Sequence, residues 1–353
     1  MSKIRKFVLR LVGAISLLKI DSNTRRYIRH NKKYWKNWCV NNSESVILID
    51  FHDMNETLIA LSYFSNILAR KYNASIRSFS SKRLFHHRAK HNIYRSFNTV
   101  AHVVTVLNNK QRCRKSKIVQ KILPRIKTKQ DVFNLEVLGV WIGIDVYETY
   151  LREFYEPTIK LNDERLDKMI DRGVGLVIFW MDFFSKNNVV SVLVSHDCYL
   201  EFNVLCKISY INKVSVYLPD CTGATYATEP FSVHSNYRSY KERFASLPFE
   251  EQIEARKIAK RQLNRRMNGE IGVDMSYSTA SAFSVANEDN INVLIKSDKV
   301  KVLICSHCFY DNPHGLGGML FVDFYEWLCY LGSVAEQTDY DWYIKIHPDP
   351  LPG

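Results

Sequence analysis

Apolar and polar positions along the chain alternate between short β-branched runs and longer stretches of helical period. Ser45–Phe51 (SVILIDF) is a β-branched run that stops at the polar pair His52-Asp53. After it Leu58, Leu61, Phe64, Ile67 and Leu68 recur at the spacing of one buried helix face. Ala74–Ser80 then alternates like a strand, so the three segments form a βαβ unit of a parallel sheet. Thr99–Leu107 reads as a further strand, and Leu135–Asn188 as mostly helical. Val189–Tyr199 (VVSVLVSHDCY) predicts a strand ending at polar residues, Leu200–Tyr210 a helix, and Val214–Pro219 the next strand.

Tyr240–Gly269 predicts a charged helix ending at a glycine, and residues 270–298 are polar and rich in Ser and Asn, as in a linker. A third unit follows. Lys299–His307 is a strand, Cys308–Gly318 a turn with proline and glycines, Met319–Gln337 a helix and Tyr340–Pro348 a strand. Two segments echo one another: VLVSHDCY (192–199) and VLICSHCFY (302–310) each place Ser-His at the carboxyl end of an apolar strand. The echo suits two similar sheet domains.

At 353 residues, 46% hydrophobic and 24% charged, the chain has the composition of a soluble globular protein with room for two cores. No run of eighteen uncharged apolar residues predicts a spanning helix. The N-terminus fails as a signal peptide, because Arg10 and Lys19 interrupt its apolar run. Eight cysteines without framework spacing fit a reducing compartment.

The net charge of +13 is uneven: residues 1–36 carry +10 and residues 110–129 carry +9, leaving −6 elsewhere. Such segments suit an anionic surface, either lipid headgroups or nucleic acid, or are solvated basic faces. Phe7, Val8, Leu11, Val12, Ile15 and Leu18 give the first segment an apolar stripe, which favours a membrane-surface helix. An arm docked on the protein's own core is the alternative. Nucleic acid is disfavoured, since no recognised binding motif is present and aromatic residues do not interleave with one basic face.

In open parallel sheets ligands bind at the carboxyl ends of the strands. Four such ends carry histidine: His52, His196, His307 and His347. Asn312–Gly318 (NPHGLGG) sits between strand and helix, where glycines let backbone N–H groups approach an anion such as a diphosphate. It is neither a Walker A loop nor a GxGxxG turn, and a tight structural turn is the competing reading. Cys305 and Cys308 have C-x-x-C spacing, but zinc needs two further ligands and a redox role lacks its usual surroundings, so no metal is expected. Lys345 alternates with His347, and Pro348 fixes the backbone beyond it.

The stretches SHCFYDNPHGLGGMLFVDFYEWL (306–328), TDYDWYIKIHPDP (338–350) and LGVWIGIDVYETYLREFYEPTI (138–159) resemble bacterial glycosyltransferases of capsule and surface polysaccharide biosynthesis. The strand-His-Pro element is similar to the HP motif of polysialyltransferases, capsular Kdo transferases and teichoic-acid glycerophosphotransferases. The resemblance implies an α/β GT-B fold with two Rossmann-like domains. It divides the chain into a basic arm (1–40), an N-terminal acceptor domain (41–270), a linker (271–298) and the start of a donor domain (299–353) that reads as incomplete.

On this resemblance a nucleotide-activated sugar, bound without cofactor or metal, meets His347, Pro348, Lys345, His307, His314, Gly315, Gly317 and Gly318. A glycan or lipid-linked acceptor meets His196, Asp197, His52 and Asp53, with His196 as first choice of general base. The implied location is cytoplasmic, peripheral to the inner membrane on its anionic face, with a second chain as a candidate to complete the donor domain. A CDP-glycerol-type phosphotransferase and a non-catalytic remnant are the alternatives.

Overall fold

The computed structural model describes residues 21–40, 43–52, 54–81, 88–220, 223–227, 239–273, 281, 283, 294–315 and 319–347. The apolar stripe of the N-terminal arm and most of the expected linker lie outside them. The chain divides into two compact units, residues 1–233 and 234–353.

The first unit is built on a six-stranded sheet in the order β3-β2-β1-β6-β7-β8. Its strands are β1 (Ser45–Asp50), β2 (Ser75–Ser80), β3 (Thr99–Val104), β6 (Asn188–Leu193), β7 (Ser215–Pro219) and β8 (Ala224–Ala227). All pairings are parallel except β7 with β8. This is a Rossmann-like α/β arrangement. The order runs outward through β2 and β3 on one side of β1 and through β6 and β7 on the other, so the switch point lies between β1 and β6.

Helices cover both faces. On one face α1 (Ser22–Tyr34), α2 (Asn55–Tyr72) and α3 (Arg88–Ser96) pack over the sheet. Leu58, Leu61 and Leu68 of α2 meet Ile47, Ile49 and Ile76 there, with Tyr94, Phe97 and Trp35 closing the cluster. Each of these side chains is almost wholly buried, and such burial is worth about 1.5–3 kcal/mol for a Leu or Ile. Asn73 in the left-handed region ends α2, its N–H returning to the Ala69 carbonyl.

On the other face Phe79 packs edge-on against Trp180 of α7 (Glu164–Phe184). The basic segment 110–129 forms most of α4 (Asn109–Ile122), which lies along α7 and starts with an Asn108–Gln111 capping box. The described part of the first basic segment, α1, and the second basic segment, α4, therefore lie on opposite sides of the sheet.

The mostly helical stretch from Leu135 opens instead with a two-stranded hairpin, β4 (Glu136–Val137) and β5 (Val140–Trp141). Leu138 and Gly139 both have positive φ at its turn, the conformation a two-residue hairpin needs. The short α5 (Lys129–Phe133) precedes it and α6 (Gly143–Phe154) follows. The helix expected at Leu200 begins as one turn of π-helix, Tyr199–Asn203, before α8 (Val204–Ile211).

In the second unit the charged helix breaks at Ser246–Pro248 into α9 (Tyr240–Ala245) and α10 (Phe249–Met267). Sequence analysis puts these helices in the first domain; by compactness they group with the second. The parallel pair β9 (Lys301–Cys305) and β10 (Asp341–Lys345) is connected through α11 (Phe324–Glu336), capped by the buried Asp323.

Candidate functional site

The carboxyl ends of β1 and β6 meet at the switch point. β1 ends in Asp50, whose side chain is fully buried. The chain after β6 turns Ser195 onto it: the Ser195 N–H and hydroxyl both donate to Asp50 Oδ2, at 2.8 and 2.5 Å. His196 Nδ1 lies 2.8 Å from the Ser195 Oγ. With the hydroxyl proton committed to the carboxylate, the imidazole Nδ1 carries its own proton toward Oγ, and His196 Nε2 keeps its lone pair. The imidazole is exposed, so this base faces solvent. Burial pushes the Asp50 carboxyl up, while both bonds from Ser195, the positive charge of Lys90 and that of His196 once it is protonated oppose that. Ser195 is not placed as a nucleophile, because its proton points to the acid and not to the imidazole.

The ring of His52 lies 5.8 Å from that of His196. The Met54 N–H donates to His52 Nδ1 at 3.1 Å, which fixes the proton on Nε2. Burial, reinforced by the charge of Lys90, holds His52 below the usual histidine range and hence neutral. The two imidazoles are therefore complementary: His196 offers an acceptor, His52 a neutral donor. Tyr94 clamps the backbone from Asp50 to His52, accepting from the His52 N–H (2.8 Å) and donating to the Asp50 carbonyl (2.7 Å).

Lys90, in the first turn of α3, lies 5.0 Å over the Phe51 ring. Burial pulls its ammonium down to about 8, with Asp50 opposing. His102 on β3 is held between Ser78 and Ser80 at 2.9 and 3.0 Å, and burial, aided by His91, lowers it to about 4. Beside these groups a cavity of about 290 Å³ opens between Phe51, Ser80, Thr105, Arg172 and Phe202. Phe202 packs on His196 with ring centres 5.8 Å apart.

Phe202 and Glu201 belong to the π-turn, which a buried network holds in place. Thr149 accepts from the Leu200 N–H, and Asp145 accepts from Asn203 and Lys207, each at 2.7 Å. Glu201 pairs with Arg172. One-turn π-helices often occur where a side chain must be re-aimed at a site.

In the second unit His307 follows β9 and His347 follows β10, and their rings stand 5.7 Å apart. His307 donates from Nδ1 to the Cys308 carbonyl at 2.9 Å and lies against Phe324. Lys345 is exposed at the same rim. His314 turns inward: it is 2% exposed, and its Nε2 reaches the Val322 carbonyl at 2.7 Å. Gly315 follows in the turn that Asn312 begins, its N–H bonded to the Asn312 carbonyl. Cys308 is buried and Cys305 exposed.

The structure thus brings His52 and His196 together in one unit and His307 and His347 in the other. The charge of Asp197 acts on Cys206 and Tyr210 of α8. Asp53, Gly317, Gly318 and Pro348 lie outside the described residues. Sequence reasoning missed Asp50, Ser195, Lys90 and Phe202. Asp50 carried a signal as a carboxylate ending an otherwise apolar strand, and Ser195 as part of the repeated Ser-His at a strand end.

Among the described residues, no group of three or more His, Cys, Asp or Glu side chains is arranged to hold a metal ion, and no helix is long and apolar enough to cross a membrane. No protein-family model, curated protein or solved structure matches the chain, so its functional reading rests on this geometry and on the sequence.

Proposed function

We propose that this chain is a glycosyltransferase of the two-domain GT-B kind, moving a sugar from a nucleotide-activated donor to a hydroxyl of a surface-glycan acceptor at the cytoplasmic membrane face. The observation that carries this reading is the carboxylate-backed imidazole of His196 at the sheet's switch point. An exposed base beside a neutral N–H donor is what activation of a hydroxyl requires.

His196 Nε2 takes the hydroxyl proton while the hydroxyl oxygen bonds to the anomeric carbon. The anomeric C–O bond to the donor breaks, and its electron pair leaves with the nucleotide phosphate. The imidazolium that forms keeps its Nδ1–H on Ser195, and the Asp50 charge stabilises it through that hydroxyl. In the second unit the ammonium of Lys345, exposed at the rim with His307 and His347, offers positive charge suited to a donor phosphate in this reading. The exposed Arg25, Arg26, Arg29, Lys32 and Lys33 of α1 support a peripheral position on an anionic leaflet.

The test is release of free nucleotide from a panel of nucleotide sugars offered with lipid-linked and glycan acceptors. His196→Gln should lower transfer by about 10²–10⁴-fold with unchanged thermal unfolding. No transfer from any donor refutes the reading, and transfer from CDP-glycerol alone assigns the phosphotransferase instead.

A further inference from the structure

We infer that the cavity beside His196 is a subsite for an uncharged sugar ring stacked on Phe202, and that the reacting residue of the acceptor is a neutral pyranose. The inference rests on the transferase reading and names its substrate class.

The cavity holds about 290 Å³. That is the small end of the about 300–1,000 Å³ usual for ligand pockets, and it suits a single sugar ring. Three of its lining residues come from the carboxyl ends of strands: Phe51 follows β1, Ser80 ends β2 and Thr105 follows β3. Phe79 and Leu176, both almost wholly buried, add apolar wall, and Phe202 adds a further aromatic ring. Ser81 lines it too, and neither the Ser81 nor the Thr105 hydroxyl has a partner among the described residues. A pyranose has the same division, with C–H groups across its faces and hydroxyls around its edge. Aromatic rings pack on the faces while serine and threonine meet the edge.

The charges that line the cavity are already paired. Arg172 is held between Glu201 and Glu153. His102, which meets Ser80, stays uncharged because burial and His91 oppose its protonation. Lys90 lies over the Phe51 ring and is not among the described residues lining the cavity. A carboxylate or phosphate entering here would face Glu201 and lose water with no free cation to replace it, a penalty that a neutral ring avoids. Side-chain amides, which match the fixed edge of a nucleobase, are absent among those lining residues.

Phe202 ties the cavity to the base, since its ring lies 5.8 Å from that of His196. A sugar stacked on Phe202 is therefore a neighbour of the imidazole that takes the proton. The chain accepts backbone strain to put Phe202 there. Tyr199 has a φ of 61°, a left-handed conformation for a bulky residue, and the π-turn that follows brings both Glu201 and Phe202 to the cavity wall. Thr149 and Asp145 anchor that turn.

The test titrates the full chain, without donor, and follows the ring resonances of Phe202 and His196 by NMR. The probes are methyl glucoside, methyl N-acetylglucosaminide, methyl glucuronide and uridine. The two neutral glycosides should give saturable shifts at both rings, and the glucuronide should bind at least tenfold more weakly. That preference is read on the unaltered chain and needs no variant. Phe202→Leu keeps bulk but loses the aromatic face, and should weaken glycoside binding about fivefold, while Phe202→Trp should retain it. Thr105→Val removes one hydroxyl at nearly constant shape and should weaken binding about threefold. All three variants should keep the thermal unfolding of the parent.

No saturable shift with either neutral glycoside, glucuronide binding as tight as glucoside, or unchanged affinity in Phe202→Leu overturns the inference. So does uridine shifting the same rings at lower concentration, since the cavity would then hold a nucleoside. Transfer to acidic acceptors with no binding of neutral glycosides sinks only this inference, and glycoside binding with no transfer from any donor sinks only the enzyme reading.

Discussion

Replacing Ser195 by Ala removes one atom from the centre of the site, and the structure sets the size of the effect. The Ser195 hydroxyl donates at 2.5 Å to a carboxylate that is fully buried. A hydrogen bond to a charged group is worth about 1.5–3 kcal/mol, and the backbone N–H of Ser195 remains, so the loss at neutral pH should be about 2 kcal/mol. The loss should also depend on pH. Burial raises the Asp50 carboxyl, and the hydroxyl lowers it by stabilising the charged form alone. The missing bond therefore costs stability above the folded-state pKa of Asp50 and progressively less as pH falls through it. Urea unfolding at pH 7.5 and at pH values down to 4 reads both quantities. The ring resonances of His196, observed in parallel, should report a changed Nδ1 environment. A change below about 0.5 kcal/mol at pH 7.5, or the same loss at every pH, would refute the carboxylate–serine–imidazole chain.

Other consequences follow from the same geometry. Lys207→Met leaves the buried carboxylate of Asp145 without its cation and should cost about 3–5 kcal/mol in chemical denaturation; a loss under 1 kcal/mol would show that Asn203 suffices to hold it. Gly143→Ala would drive its Cβ into the Phe133 carbonyl at the α5–α6 junction, and a melting-temperature drop matching about 1–3 kcal/mol is expected. His102, lowered to about 4, contributes stability that is complete above about pH 6.5 and is lost as pH falls toward 4, so His102→Gln should flatten the acid limb of the stability curve.

The parallel framework was legible because its strands are β-branched runs that stop at polar residues, and its helices repeat a clean apolar stripe. The hairpin at Glu136–Trp141 was not, since two-residue strands leave no periodic signal. Nor was the π-turn, whose cause is a buried Asp145–Lys207–Asn203 network assembled from two helices. The histidines were found as strand ends, yet their chemistry was hidden. Asp50 and Ser195 are 145 positions apart, and only the order of strands in the sheet makes them neighbours. Lys90 sits in a short polar helix with no motif, and it gains its character from burial against Phe51.

The two Ser-His elements that echo in the sequence show how one local device is given two chemistries. In each, the serine beyond a strand turns both its N–H and its hydroxyl onto the last residue of the neighbouring parallel strand. For Ser195 that acceptor is the carboxylate of Asp50; for Ser306 it is the main-chain carbonyl of Lys345, at 3.0 and 3.1 Å. A carboxylate behind the serine passes negative charge toward the imidazole and favours its role as a base. A carbonyl gives His307 no such support. The difference is measurable as stability. Ser306→Ala breaks a neutral bond at an exposed position, so it should cost no more than about 1 kcal/mol, independent of pH, against the larger and pH-dependent loss for Ser195→Ala. Equal losses with equal pH dependence would mean that the carboxylate confers nothing special on the first element, and the assignment of His196 as the base would lose its physical ground.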